Sequence, residues 1–159
     1  MERTTIRDYM TASPHTVGAD QSLTAAHKLM RKYQIRHLPV LDGGKLVGLV
    51  SQRDLHLLET LRDVIPEDVR VDDAMTRDPY TVTPTTLLRD AAAYMADDKI
   101  GSAVVVEGGK VVGIFTTTDA LRALVDLQQR VGPDPGEDAP TTVVRPPRTA
   151  AKAEARKRA

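Results

Sequence analysis

The sequence predicts an α/β (α+β) fold: two pseudo-symmetric β-α-β-β-α repeats packed as one domain, followed by a disordered tail. Three observations lead there. Residues 8–56 align with residues 73–121 at a constant offset of 65 without a gap, and 17 of the 49 aligned pairs are identical. An internal repeat of this kind sets the architecture before any single element is read. Within each copy the apolar residues pass from helical spacing to strand-like runs. Each copy also places a Gly-Gly pair between two such runs, Asp42-Gly43-Gly44 in one and Glu107-Gly108-Gly109 in the other, a hairpin signal because glycine accepts the positive φ of tight turns. A lone unit of about 50 residues cannot bury its own faces, so the two copies must pack together.

The elements follow in order. Asp8-Tyr9-Met10-Thr11 and Asp73-Ala74-Met75-Thr76 open the copies, and Pro14–Val17 and Pro79–Val82 end in short Thr-Val strands. A helix comes next, with Leu23, Ala26 and Met30 on one face and Leu88, Ala91 and Met95 on the matching one. Thr83-Pro84 suits the entry of the second of these helices, since proline is tolerated in a first turn. The hairpin runs are Leu38–Leu41 with Lys45–Val50, and Ala103–Val106 with Lys110–Phe115. A second helix then spans about 52–61 in one copy and about 117–129 in the other, stopped by Gly132-Pro133. The expected organisation is repeat 1 over residues 5–62, a linker over 63–72, repeat 2 over 73–131 and a tail over 132–159. The tail is rich in Pro, Ala and charge, a composition that cannot build a core.

Composition excludes several classes. Hydrophobic residues are 41% and charged residues 28%, enough for a core, yet there is one Phe, four Tyr and no Trp, so that core is aliphatic. With no Cys, disulfides, thiolate metal sites and cysteine nucleophiles are out. No apolar run reaches the roughly 18 residues of a membrane span, and the N-terminal residues lack the apolar stretch of a secretory signal, so a cytoplasmic location is expected. Basic and acidic residues balance at 22 each, so no global field draws nucleic acid or membrane. Residues 145–159 do hold six basic residues against one acidic, but a solvated charged end is the simpler reading than a nucleic-acid arm.

The repeat resembles a tandem pair of CBS domains, the Bateman module. The resemblance rests on the Met-Thr entry before Pro-x-Thr-Val in both copies and on the strand Arg36-His37-Leu38-Pro39-Val40-Leu41-Asp42, which the second copy matches only in its later half. It rests also on Gly48-Leu49-Val50-Ser51-Gln52-Arg53-Asp54, answered by Gly113-Ile114-Phe115-Thr116-Thr117-Thr118-Asp119. It covers roughly residues 5–130. It implies two clefts able to take an adenine nucleotide (AMP, ADP or ATP) or an adenosyl compound such as S-adenosylmethionine, none of them an obligatory cofactor. By the resemblance, one site combines Thr116 and Asp119 with His15, Thr16, Arg36 and His37. The other combines Ser51 and Asp54 with Tyr80, Thr81 and Ser102. A stand-alone regulatory module of this kind is also expected to form a homodimer and to act through an effector protein or an oligomer.

The residues fit that chemistry. A carboxylate such as Asp54 or Asp119 can accept hydrogen bonds from both ribose hydroxyls, while a hydroxyl and free amides at a helix N-terminus suit phosphate. The same Ser/Thr-x-x-Asp spacing is close to a capping box that needs no ligand. Arg36 and His37, on a strand, are expected to point to opposite faces, with Arg36 suited to forked phosphate contacts. Their counterparts Gly101 and Ser102 carry no charge, so the Asp54 site is expected to be empty or to hold an uncharged adenosyl group, and the Asp119 site to dominate. His27 and His56 fall on helices with no third partner at ligand spacing, so no metal site is expected. Nothing suggests an activated nucleophile, and no enzyme activity is expected. The rival reading is a ligand-free dimerisation and interaction scaffold in which both motifs are only caps.

Overall fold

The computed structural model describes residues 3–132, so the predicted tail, apart from Gly132, lies outside the described residues. A 3-10 turn at Ile6–Asp8 leads into β1 (Thr11–Ala12), β2 (Val17–Gly18), α1 (Leu23–Tyr33), β3 (His37–Asp42), β4 (Lys45–Ser51) and α2 (Gln52–Glu59). The chain repeats itself with α3 (Val71–Ala74), β5 (Thr76–Arg77), β6 (Thr81–Val82), α4 (Leu88–Asp97), β7 (Ser102–Glu107), β8 (Lys110–Thr116) and α5 (Thr117–Val131). Even the unusual backbone repeats: Ser13 and Asp78 both have φ 49°, and Gln34 and Lys99 have φ 54° and 56°.

Local chemistry sets the element ends. The Ser22 hydroxyl accepts the Ala25 N–H and so caps α1, and Gln34 closes the helix in the left-handed region. The corresponding start of α4 corrects the sequence reading. Thr83-Pro84 is not its entry; the helix begins at Leu88 behind Leu87, which offers no capping side chain. Thr83 instead opens a tight turn in which its N–H donates to Thr86 Oγ1 at 3.0 Å, a local bond that competes with helix for threonine.

Two four-stranded sheets result, in the orders β2-β3-β4-β5 and β1-β8-β7-β6. In each, a short strand runs parallel to the first strand of the hairpin and a second short strand runs antiparallel to the last. Helices α1 and α2 cover the first sheet through Leu23, Ala26, Met30 and Leu55, and α4 and α5 cover the second through Leu88, Ala91, Met95 and Ala123.

The segments leading into each copy dock on the sheet of the other. Ile6 is fully buried in the second core, together with Phe115, although it lies at the start of the first repeat. Val71 is fully buried in the first core. The stretch expected as a linker therefore ends inside the first half: the Leu23 N–H donates to the Val69 carbonyl at 3.0 Å, and Ser22 and Arg70 form an isolated bridge. Buried Val71 and half-buried Val69 decide this over the polar residues around them.

The docking works because β4 and β8 each carry a bare backbone at one point. A Cβ added at Gly48 would lie 2.8 Å from Met75 Cγ and 2.9 Å from the Thr76 carbonyl oxygen, and one at Gly113 would lie 3.2 Å from the Thr11 carbonyl oxygen and against Met10. Overpacking of this sort costs about 1–3 kcal/mol. We expect Gly48→Ala to lower the thermal midpoint by several degrees and Gly113→Ala by somewhat less, as read by circular-dichroism melting. A Gly48→Ala protein that melts with wild type would show that the methionine segment does not need this approach.

Candidate functional site

The two carboxylates singled out by the repeat sit at equivalent helix starts. Asp54 Oδ2 accepts both the Ser51 N–H at 2.8 Å and the Ser51 hydroxyl at 2.7 Å, and the Asp54 N–H donates back to Ser51 Oγ at 3.2 Å. Asp119 and Thr116 repeat the pattern, with bonds to Oδ2 of 2.9 and 2.8 Å and a return bond of 3.4 Å. Both are complete capping boxes, as the sequence alone allowed.

A capping box occupies one carboxylate oxygen, and the two sites use the other differently. Asp119 is buried, and its Oδ1 accepts a bond from Arg122 Nη1 at 3.1 Å. Asp54 is only half-buried, and its Oδ1 has no protein donor among the described residues. Of the two motifs, Asp54 retains the free acceptor.

Each motif faces a cleft between the two halves. The larger, about 890 Å³, brings Ser51 and Asp54 together with Tyr80 and Ser102. The smaller, about 370 Å³, brings Thr116 and Asp119 together with His15. Both volumes fall within or close to the usual range of small-molecule sites. Arg36 and His37 line both clefts, standing just before and at the start of β3. Thr16 and Thr81 line neither: Thr16 precedes β2 and Thr81 is exposed on β6, while the neighbouring Val17 and Val82 take the buried positions.

The larger cleft is not the uncharged site that Gly101 and Ser102 suggested. Arg36, Arg53 and Lys99 border it, each from a different element. The positions opposite Arg36 and His37 carry no charge, but Arg53 arrives from α2 and Lys99 from the loop before β7. Tyr80 adds an aromatic face, stacked on Tyr94 with centroids 4.3 Å apart and planes 26° apart. In the smaller cleft Arg36 Nη2 donates to Thr118 Oγ1 at 3.3 Å, and the His15 ring stacks on Tyr33 at 3.5 Å.

His37 is the titratable group the two clefts share. Burial holds its pKa below the usual 6.5, the adjacent Arg36 guanidinium pushes the same way, and the Asp54 carboxylate opposes them. The structure also reaches beyond the sequence at His27 and His56. Glu59, one turn beyond His56 on α2, joins them as the third partner that linear spacing did not reveal, and all their ligating atoms lie within 4.8 Å of one another.

Two packed α/β halves with paired clefts between them define a tandem domain pair built by duplication. The chain belongs to the CBS domain family, whose model matches residues 6–57 and 71–126. An inosine-5'-monophosphate dehydrogenase from Korarchaeum cryptofilum is 39% identical over 115 residues, which is 72% of this chain and 22% of that enzyme. The chain thus spans about a fifth of the length of the first curated relatives it matches. Among solved structures, CBSX2 of Arabidopsis thaliana in complex with AMP is similar at 33% identity and a TM-score of 0.69, over 79% of this chain and 98% of that one. The CBS domain pair of protein MJ0100, in complex with 5'-methylthioadenosine and S-adenosyl-L-methionine, is similar at 27% identity and a TM-score of 0.72, over 79% and 99%.

Two expectations follow. Unfolded histidine titrates near 6.5, above folded His37, so the unfolded chain binds more protons as pH falls below that value. The His37 contribution is then intact above pH 6.5 and lost on acidification, and His37→Gln should flatten the fall of the urea midpoint between about pH 7 and pH 5.5. An unchanged slope would remove His37 from the balance. Ser51→Ala, which deletes the α2 cap, should cost about 0.5–2 kcal/mol in the same unfolding assay.

Proposed function

We propose that this chain is a regulatory module that binds an adenine nucleotide or an adenosyl compound in the clefts between its repeats. The observation that carries this is the Asp54 cleft. A carboxylate with one oxygen fixed by its cap and the other free is suited to the two hydroxyls of a ribose. Arg36, Arg53 and Lys99 on the same cleft suit a phosphate or a carboxylate held away from Asp54. Tyr80 offers a flat face for a base. The AMP, methylthioadenosine and S-adenosylmethionine held by the similar CBS pairs belong to this ligand class.

The smaller cleft, with His15, Thr116 and Asp119, is assigned the weaker site. A ribose there must first displace Arg122 from a buried carboxylate. This ordering inverts the one drawn from Arg36 and His37 alone.

The output we assign to pairing with a second copy and, through it, to an effector protein. Helix α5 presents Leu121, Leu124 and Val125 to solvent, and Leu57 and Leu61 are exposed on and just beyond α2, all at least half exposed. Beside them an apolar groove of about 730 Å³ runs between α4 and α5, lined by Leu88, Ala92, Ala123 and Leu127. Ligand that touches both repeats shifts the population of their packed arrangements, and helices on the outer face carry the shift outward. The same apolar face also favours the second reading, a scaffold that pairs without ligand.

A thermal-unfolding series with AMP, ADP, ATP and S-adenosylmethionine separates the two. At about 100 times its dissociation constant a ligand adds about 2.7 kcal/mol, or several degrees for a domain of this size. Wild type should shift, Asp54→Ala should lose most of the shift, and Asp119→Ala should keep most of it. Loss in Asp119→Ala alone would move the site to the smaller cleft, and no shift with any compound would leave the scaffold.

A further inference from the structure

From the arrangement of His27, His56 and Glu59 we infer a zinc-class metal site between α1 and α2 of the first repeat, beside the Asp54 cleft, which His56 also lines. His27 comes from α1, and His56 and Glu59 come from successive turns of α2 on one face. Their ligating atoms lie within 4.8 Å of one another, with His27 Nδ1 already 2.7 Å from Glu59 Oε1. Tetrahedral zinc, with bonds of about 2.0 Å to imidazole nitrogen and carboxylate oxygen, holds its donors roughly 3.3 Å apart. Small side-chain adjustments therefore close the triad on an ion: the short pair opens slightly and the His56 ring, tilted 57° to His27 at a centroid distance of 5.7 Å, swings in. Two imidazoles and one carboxylate suit zinc and its neighbours better than the all-oxygen preference of magnesium or calcium. Three protein ligands leave a fourth position for water.

The repeat supplies the argument that the fold does not demand these residues. At the same offset of 65, the second copy has Ala92, Leu121 and Leu124 in place of His27, His56 and Glu59. The α4–α5 pair thus forms with apolar residues at all three positions, two of which, Ala92 and Leu124, line the groove there. Packing of α1 on α2 could use the same solution. A hydrogen-bonded His27–Glu59 pair accounts for two of the polar residues and leaves the His56 imidazole at the rim of the Asp54 cleft, outside that pair. A metal ion uses all three.

The test is a Zn²⁺ titration of untagged, chelator-treated full chain in competition with a chromogenic chelator. Wild type, His27→Ala, His56→Ala and Glu59→Gln are compared, with His15→Ala as the control at a histidine outside the triad. His27→Ala places in α1 the residue the second repeat already carries at that position, and His56 and Glu59 are exposed, so far-UV circular dichroism should find all variants folded. We expect saturable uptake by wild type, at least tenfold weaker uptake by each triad variant and no change in His15→Ala. Wild-type uptake no tighter than that of the triad variants would overturn the site and leave His27 and Glu59 as an ion pair only. Equal loss in His15→Ala would do the same.

Discussion

Each half of this fold depends on the contact of a methionine segment with a glycine backbone. Met75 covers Gly48 and Met10 covers Gly113, at matching points of the two hairpins. A side chain at either glycine would hold the segment off the strand, and the pairings of β5 with β4 and β1 with β8 depend on that nearness. The second of these pairings ties the N-terminal segment to the far half of the molecule and carries the buried Ile6 into its core. Because the chain then returns to build the first sheet, the halves are held face to face. The clefts are what remains between them. Their existence thus rests on two residues without side chains, set beside Thr76 and Thr11 at the cleft walls.

The helix starts that face those clefts serve stability and chemistry with the same atoms. A capping carboxylate is locked by two short bonds to one oxygen, which fixes its direction without consuming its second acceptor. At Asp54 that acceptor is free, while at Asp119 Arg122 takes it. The residue equivalent to Arg122 in the first repeat is Leu57, so a single surface position decides whether a shared motif is open or closed. Charge follows the same logic. Arg36 and His37 stand between the clefts and line both, and burial has lowered the proton affinity of the imidazole that both clefts share.

Much of the fold was legible because it was written twice. An ungapped offset fixed the element order, the Gly-Gly turns fixed the hairpins, and the periodic Leu, Ala and Met positions named the buried faces of α1 and α4. The docking of the lead-in segments was not legible. Nothing local in Ile6 or Val71 says which of two similar cores will bury it. The start of α4 was misplaced because Thr83-Pro84 reads equally as helix entry or as turn, and only Leu87, where Ser22 stands in the other copy, tips the balance. Of the candidate residues, nine line the clefts, and Thr16 and Thr81 do not. Arg53 and Lys99 were missed because their elements reach the cleft only in three dimensions, as does the meeting of Glu59 with two histidines.

Duplication explains how one small chain can hold sites of different character on one frame. Positions that face the cores are kept or exchanged conservatively: Leu23 with Leu88, Met30 with Met95, Val40 with Val105. Apart from the capping carboxylates, several positions that face the clefts or solvent have diverged: Arg36 against Gly101, His15 against Tyr80, His27 against Ala92, His56 against Leu121. A buried position is constrained by close packing on every side, whereas an exposed one is free to change at little cost in stability. The frame is therefore symmetric and its surface is not.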